Sequence, residues 1–599
     1  MGSIAYDDSI KPPAPEELRS IMNELKDLHP TEIQRSSDAA TIQVKKKNFP
    51  LAEKFQFEQS LPNESTGIDI PGRFDAELAS CVVHGTMPSD IDGTFYRIVC
   101  DQIWARRNKV DPNNPRDIWI NGDGAVDAWR ISNGVVDFKQ KYVRTPRFVY
   151  ERIAREPLFG SYRNIFSGDP RVKDEVQSPG NVHVHFWREK LLIPKDDSPP
   201  IIMDPDTLET IGLTDFDGQL NSMSFTSHPK VDVHTGQLIG FGMEANGIGS
   251  NDLVYYVFGP DGKKLEECWV KTPYVGWSHD FAFSDNWVVF GILPYETNVN
   301  WMKTTGEAQF RFNRYLPFAF GILPRHNPKS EDIKWFYGPR NHGWVHFSNH
   351  FEKDDKFFFD LFLADGGGLP SFIDAHPALG PSNPNRMIGK LCRFTIDPYA
   401  PPEKNKLELP VVLSHVNGEM ARIDDRFVGK PYRHTWGVTW GSGLWDGIVH
   451  VDTHTGISKI WKGGETVMIH EPCFIPRGPD VPEGDGYVVC VARDKSNEIT
   501  YLIILDAMDI NAGPVCIVEM PLRLHVAAHG NWVNAWDRKV RKPLVDYSGA
   551  TPELLAKFST GAPKPFDEVW GNPVVTKYPG KWPFPVHEEA QGYPNGIGI

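Results

Sequence analysis

The run Leu253-Val254-Tyr255-Tyr256-Val257-Phe258 stops at Gly259-Pro260 and turns on Asp261-Gly262. Apolar, β-branched and aromatic residues followed by an Asp-Gly pair have the composition of a strand entering a hairpin. The same pairing recurs at Ile448-Val449-His450-Val451, followed by His454-Thr455-Gly456. Further short β-favouring runs, at Val135–Tyr142, Leu191–Pro194 and Trp287–Leu293, alternate with turn clusters rich in Gly, Pro, Asp and Asn. No long amphipathic helical pattern interrupts this texture, which begins near residue 75 and stays uniform for roughly 500 residues. Many short strands over such a length predict an all-β fold, and a propeller in preference to a sandwich or a single barrel. Strict WD40 or kelch repeats are absent. One weak echo exists, Phe290-Gly291-Ile292-Leu293-Pro294 against Phe320-Gly321-Ile322-Leu323-Pro324.

Outside this region the texture changes. Residues 1–65 read as a polar, partly disordered extension, with a helix at Pro15–Leu28 and a basic run at Lys45–Lys47. Residues 66–599 read as one propeller domain that includes a Pro-, Gly- and aromatic-rich tail from about 541. Lys plus Arg number 63 against 78 Asp plus Glu, a net charge of −15, which argues against binding nucleic acid through its phosphates. Seven scattered cysteines with no CxxC pair predict buried reduced thiols in a cytoplasmic protein. The N-terminus lacks the apolar core of a secretory signal, and Tyr6 stands where a myristoylation signal wants Ser or Thr. No stretch approaches the ~20 apolar residues of a transmembrane helix.

Familiar catalytic strings fail: there is no HExxH, GxSxG or Walker loop. Asn121-Gly122-Asp123-Gly124 has a faint likeness to a calcium loop, but its register puts Trp119 at the first ligand position and Arg130 at the twelfth. Among 20 histidines, four stand out by context: His228, His279, His346 and His529. Each lies among aromatic and apolar residues at or near a strand, and the first three are 51 and 67 residues apart, about one propeller blade each. In a propeller, one histidine on each of several innermost strands would present imidazoles to a common axial point. A hydrogen-bonded structural histidine is the alternative for each. Glu419 and Glu471 lie in apolar, strand-like surroundings and suit the carboxylates that accept the second N–H of metal-bound imidazoles; surface salt bridging is their alternative.

Together these segments resemble the carotenoid cleavage oxygenase family from about residue 70 to 540. The markers occur in family order: Asp92-Gly93-Thr94-Phe95-Tyr96-Arg97, Asn121-Gly122-Asp123-Gly124, the histidine segments, Glu419, Glu471-Pro472 and His529-Gly530. The resemblance implies a seven-bladed β-propeller with a helical and loop cap over an axial channel that bears iron. It implies one Fe(2+) held by His228, His279, His346 and His529, with Glu419 and Glu471 behind them and O2 as co-substrate. A third family glutamate is replaced by the shorter Asp196, which reaches its histidine either directly or through water.

Within the family the sequence looks most like the fungal stilbene- and phenylpropanoid-cleaving branch, which is lignostilbene-dioxygenase-like. Its early strand reads Phe95-Tyr96-Arg97-Ile98 in place of a common Arg-Asn-Gly-Pro, Gly160-Ser161-Tyr162-Arg163-Asn164 supplies a tyrosine, and Lys195 sits beside Asp196. The likeness gives Tyr162 and Lys195 the role of binding a substrate's para-hydroxyl; an ordinary surface pair is the alternative. The implied activity is dioxygenase cleavage of the C=C bond of a 4-hydroxyphenyl alkene (a hydroxystilbene, isoeugenol or a vinylphenol) to aldehydes. Cleavage of a carotenoid or apocarotenoid, polyene isomerisation and a non-catalytic binding propeller remain open. Tyr315-Leu316-Pro317-Phe318-Ala319-Phe320 suits either weak contact with a membrane surface or a strand core.

Overall fold

The computed structural model describes residues 71–104, 118–366, 389–401, 403–441 and 444–545, with positions 551 and 553. The expected helix at Pro15–Leu28, the rest of the N-terminal extension and nearly all of the tail beyond 545 lie outside the described residues.

Short antiparallel strands dominate, as the turn-punctuated texture predicts. Asp252–Phe258 and Lys264–Lys271 pair across the Asp261-Gly262 turn, with Gly262 at a φ of 87°. Leu444–Asp452 and Ser458–Lys462 pair across the turn that ends at Gly456, with a φ of 76°. Both glycines take the left-handed backbone that hairpin turns require. The two sequence echoes are hydrogen-bonded neighbours: in Trp287–Thr297 and Pro317–Pro324, Phe290 faces Gly321 and Gly291 faces Phe320. A ring thus lies opposite a bare backbone. A Cβ on Gly291 would meet the Trp344 ring at 2.1 Å, and one on Gly321 the Trp335 ring at 2.7 Å.

Among the described residues the strands form six hydrogen-bonded sheets, and the first strands pair with the last. Gly93–Asp101 pairs with Ala527–Asn534 near the far end, and Val82–Gly85 pairs with Pro514–Met520. Pairing of the first strands with the last is the closure expected of a propeller, whose sheets keep short edges. One sheet has eight strands, with the 13-residue strand Val411–Ile423 common to its two halves.

Between sheets the core is aromatic. Phe320 lies 5.3 Å from Trp344 and 4.6 Å from Phe359, and Phe359 stacks on Phe394 at 5.4 Å. Each fully buried ring contributes about 1.5–3 kcal/mol. Leu316, Phe318 and Phe320 are fully buried in this core, which is the strand-core reading of that segment; only Tyr315 is exposed. Two α-helices occur among the described residues, Pro146–Ala154 and Val299–Thr305. Ser161 and Asn164 bind the loop region around the second: Ser161 Oγ donates to Gly306 O, and Asn164 Nδ2 to Met302 O and Glu307 O. A helical and loop layer therefore holds the segment that carries Tyr162.

The visible start of the tail is strapped down. Arg538 binds Asp206 and Glu189, and Arg541 binds Asp92. No described helix is long and apolar enough to cross a membrane. All seven cysteines are unpaired, and six are buried.

Candidate metal centre

His228, His279, His346 and His529, spread over 302 positions of sequence, converge: a ring nitrogen of each lies within 4.8 Å of the others, and all four are buried. The backbone locates them by interruption. His279 sits in the break between the strands Gly276–Trp277 and Phe281–Phe283. His346 occupies the equivalent break between His342–Gly343 and Phe347–Lys353, just before the aromatic strand rather than inside it. His228 precedes the short strand Lys230–Asp232. His529 lies within Ala527–Asn534, beside the register shift between Arg97 and Val99 on the paired strand. Breaks and bulges rotate a side chain out of the alternating pleat, and here they turn imidazoles inward.

Three histidines are aimed by carboxylates. His279 Nδ1 lies 2.7 Å from Asp196 Oδ2, His346 Nδ1 2.7 Å from Glu419 Oε2, and His529 Nδ1 2.9 Å from Glu471 Oε1. An ionised carboxylate only accepts, so each Nδ1 carries the proton and each Nε2 presents a bare lone pair. The Asp196 contact is direct: the shorter side chain needs no bridging water. Burial raises the Asp196 and Glu471 carboxyls, but bonds to their histidines and to Ser227, Arg422 and Gly530 outweigh it and hold both down to about 2. Burial pushes His228 well below the usual imidazole range and, despite Glu471, lowers His529. In His346 the Glu419 carboxylate overcomes burial and raises the imidazole.

This arrangement fits a metal. His346 Nε2 is buried with no protein partner, and His228 Nε2 and His279 Nε2 face each other at 3.0 Å. With His279 Nδ1 bonded to Asp196, its facing lone pair calls for a cation. Four neutral imidazoles and no thiolate suit a divalent first-row ion such as Fe(2+) and disfavour an iron–sulfur centre.

Several neighbours escape sequence reasoning. Arg422 Nη1 donates to Glu471 Oε2 at 3.1 Å and to Gly530 O at 2.7 Å, steadying the carboxylate behind His529. Trp277 Nε1 and Ser227 N both donate to Asp196. His183 stacks on His529 at 4.9 Å and meets His228 edge-on at 5.3 Å. Its only sequence signal is the alternation in Asn181-Val182-His183-Val184-His185, which reads as an ordinary strand.

Lys195 and Tyr162 also come together. Both are buried, with Lys195 Nζ 4.6 Å from the Tyr162 ring centroid, which rules out the surface-pair alternative. The turn after Lys190–Ile193 sends consecutive side chains in opposite directions, Asp196 to His279 and Lys195 to Asn181 and Tyr162. Burial lowers the Lys195 ammonium to about 8, with Asp197 pulling the other way, and raises the Tyr162 phenol well above its ordinary range.

A closed all-β ring with four inward histidines backed by carboxylates defines a non-haem metal enzyme of propeller type. Comparison with known proteins makes the class specific. Residues 70–534 match the family described as retinal pigment epithelial membrane protein. Resveratrol cleavage oxygenase 1 of Aspergillus fumigatus is 37% identical over 490 residues, covering 79% of this chain and 95% of that protein. Isoeugenol monooxygenase of Pseudomonas nitroreducens is 34% identical, covering 78% and 97%. The crystal structure of Pseudomonas brassicacearum lignostilbene dioxygenase superposes with a TM-score of 0.74 at 33% identity, covering 79% and 99%. The protein belongs to the carotenoid oxygenase family. Enzymes of this family use Fe(2+) bound by four histidines, with O2, to cleave C=C bonds.

Proposed function

We propose that this protein cleaves the ring-conjugated C=C bond of a 4-hydroxyphenyl alkene, such as a hydroxystilbene or isoeugenol, to two carbonyl products. The observation that carries the reading is the buried Lys195–Tyr162 pair, built on the same turn as the Asp196 that binds His279. A buried ammonium beside a phenol, next to a metal site, suits a substrate with a hydroxyl at one end and an alkene at the other. The resemblance to the stilbene- and isoeugenol-cleaving relatives points the same way.

In this reading His228, His279, His346 and His529 hold Fe(2+), and Asp196, Glu419 and Glu471 fix three imidazoles in the tautomer that binds it. When bound, the iron supplies activation of O2, whose two atoms suffice for two carbonyls. Lys195, as the neutral amine that burial brings within reach, accepts the proton of the 4-hydroxyl and then, as the ammonium, holds the phenolate oxygen, which raises electron density along the conjugated alkene. Tyr162 shares the hydrogen bond to that oxygen. The low-dielectric surroundings strengthen these contacts and orient the alkene. For the stretch up to Asn534, the single-domain reading of residues 66–599 is supported by the pairing of Gly93–Asp101 with Ala527–Asn534 and of Val82–Gly85 with Pro514–Met520. A cytoplasmic location is supported by seven unpaired cysteines.

Product analysis in air with isoeugenol, a 4-hydroxystilbene and an apocarotenal tests the proposal. Aromatic aldehyde forms from the first two and is lost in Lys195→Met and Tyr162→Phe. Cleavage of the apocarotenal alone would overturn the phenolic assignment and leave the metal centre intact.

A further inference from the structure

Asn121-Gly122-Asp123-Gly124, which fails as a calcium loop, builds a cradle. The 3-10 turn Trp119–Asn121 leads into Gly122, and the carbonyls of Ile120 and Gly122 both accept from Asn181 Nδ2, at 2.8 and 2.6 Å. Two carbonyl acceptors settle which end of the Asn181 amide is nitrogen. Its Oδ1 then accepts from Lys195 Nζ at 2.8 Å, and Ile120 O accepts from the same Nζ at 3.2 Å.

The cradle is rigid. The buried Arg147 guanidinium donates from Nη1 to Asn121 Oδ1 at 2.9 Å and from Nη2 to Asn121 O, while its Nε faces Asp123 Oδ1 at 3.3 Å. Gly124 N donates to Pro179 O at 3.0 Å, and a Cβ on Gly124 would stand 1.8 Å from Gly180 O. Backbone therefore lies directly on backbone between residues 122–124 and 179–181. An ammonium has three N–H bonds. The cradle takes two and leaves the third for an acceptor beyond it.

We propose that Asn181 is a positioning residue, an amide clamped between two carbonyls that aims the Lys195 ammonium at the 4-hydroxyl oxygen of the substrate. This rests on the phenolic reading of Lys195 and adds what directs it. The charged and titratable groups facing Lys195 are Asp196 and Asp197 on its own turn, Cys100 on the strand Gly93–Asp101, Arg147 on the helix Pro146–Ala154, and the Tyr162 ring. Unlike Asp196, Asp197 and Arg147, Asn181 carries no charge, and it accepts directly from the Nζ through its oxygen. It can set direction without adding charge.

The test measures the pH profile of kcat/KM, and the rate ratio of 4-hydroxy to 4-methoxy substrate, in iron-loaded Asn181→Leu and Asn181→Asp. A hydrogen bond to a charged group is worth on the order of one pKa unit or more. Asn181→Leu removes an acceptor from the ammonium, so the Lys195 limb moves down by about one pH unit and the 4-hydroxy preference falls about tenfold. Asn181→Asp puts a carboxylate against the ammonium, and the limb moves up. Either variant alone decides if the other does not fold. A folded, iron-loaded variant with the native limb and native preference overturns the proposal. Lys195→Met run in parallel separates the two ideas. If it keeps cleavage and preference, the phenolic reading itself is wrong. If it loses them while the Asn181 variants are native, only the role of Asn181 is wrong.

Discussion

Asp196→Asn changes one oxygen to an amide and keeps the shape, so it isolates what the carboxylate does for the metal. Asp196 accepts from Ser227 N at 2.7 Å on Oδ1, and from His279 Nδ1 at 2.7 Å and Trp277 Nε1 at 3.2 Å on Oδ2. All three partners are donors. Asparagine offers one accepting oxygen and one donating nitrogen, so neither rotamer satisfies the set. If its oxygen keeps His279 and Trp277, its NH2 opposes the Ser227 N–H in a buried space. If it flips, the NH2 faces His279 Nδ1, which must give up its proton to Nε2 and so lose the lone pair that faces the metal. Replacing a charge-assisted hydrogen bond by either arrangement costs about 1.5–3 kcal/mol, or about 10- to 150-fold in Fe(2+) affinity. Anaerobic competition with a chromophoric ferrous chelator reads this directly, and the rate at saturating iron falls less than the affinity. An unchanged dissociation constant, within about threefold, in a protein of native thermal stability would refute the idea that Asp196 sets the His279 tautomer.

Other outcomes follow from the same geometry. Glu471→Gln opposes an amide to donors from His529, Gly530 and Arg422 and lowers iron affinity by about 10- to 100-fold in the same assay. His279→Ala removes one of four ligands; metal analysis shows substoichiometric iron, and cleavage of isoeugenol is lost. Lys195 carries its proton to about pH 8 in the folded protein and to its ordinary 10.5 when unfolded. Between these values the unfolded state binds the extra proton, so stability rises with pH across that window; below it the buried ammonium is a standing cost. Urea unfolding of Lys195→Met shows a flatter rise there and equal or greater stability at pH 7, even as activity falls. Gly124→Ala drives a methyl into Gly180 O and parts the two backbones; unfolding reports a loss of about 1–3 kcal/mol, and activity falls further than stability.

The strand texture, the turns at Asp261-Gly262 and Gly456, and the four histidines with Glu419 and Glu471 were legible in the sequence. Local composition writes the strands and turns; the histidines and acids stood out by context and took their metal-binding role from the family resemblance. A glycine at a left-handed turn and an acid in an apolar strand leave marks within a few residues. The reach of Asp196 was not legible, because one methylene is judged only against the position of a histidine 83 residues away. The burial of Tyr162 and Lys195 was likewise decided by the layer that folds over them. Arg422, Trp277, His183 and Asn181 left no signal, since each looks locally like an ordinary strand or loop residue.

By itself the sequence determined the kinds of groups present, the strand period and the punctuation that ends each strand, for these depend on near neighbours along the backbone. Tertiary structure alone decided which groups meet. Closure of Gly93–Asp101 on Ala527–Asn534 brings His529 to histidines as far as 301 residues before it. Breaks in the inner strands turn those rings inward against the pleat. Convergence at a point is a property of the closed ring, in which the lone pairs of distant side chains share one small, dry volume.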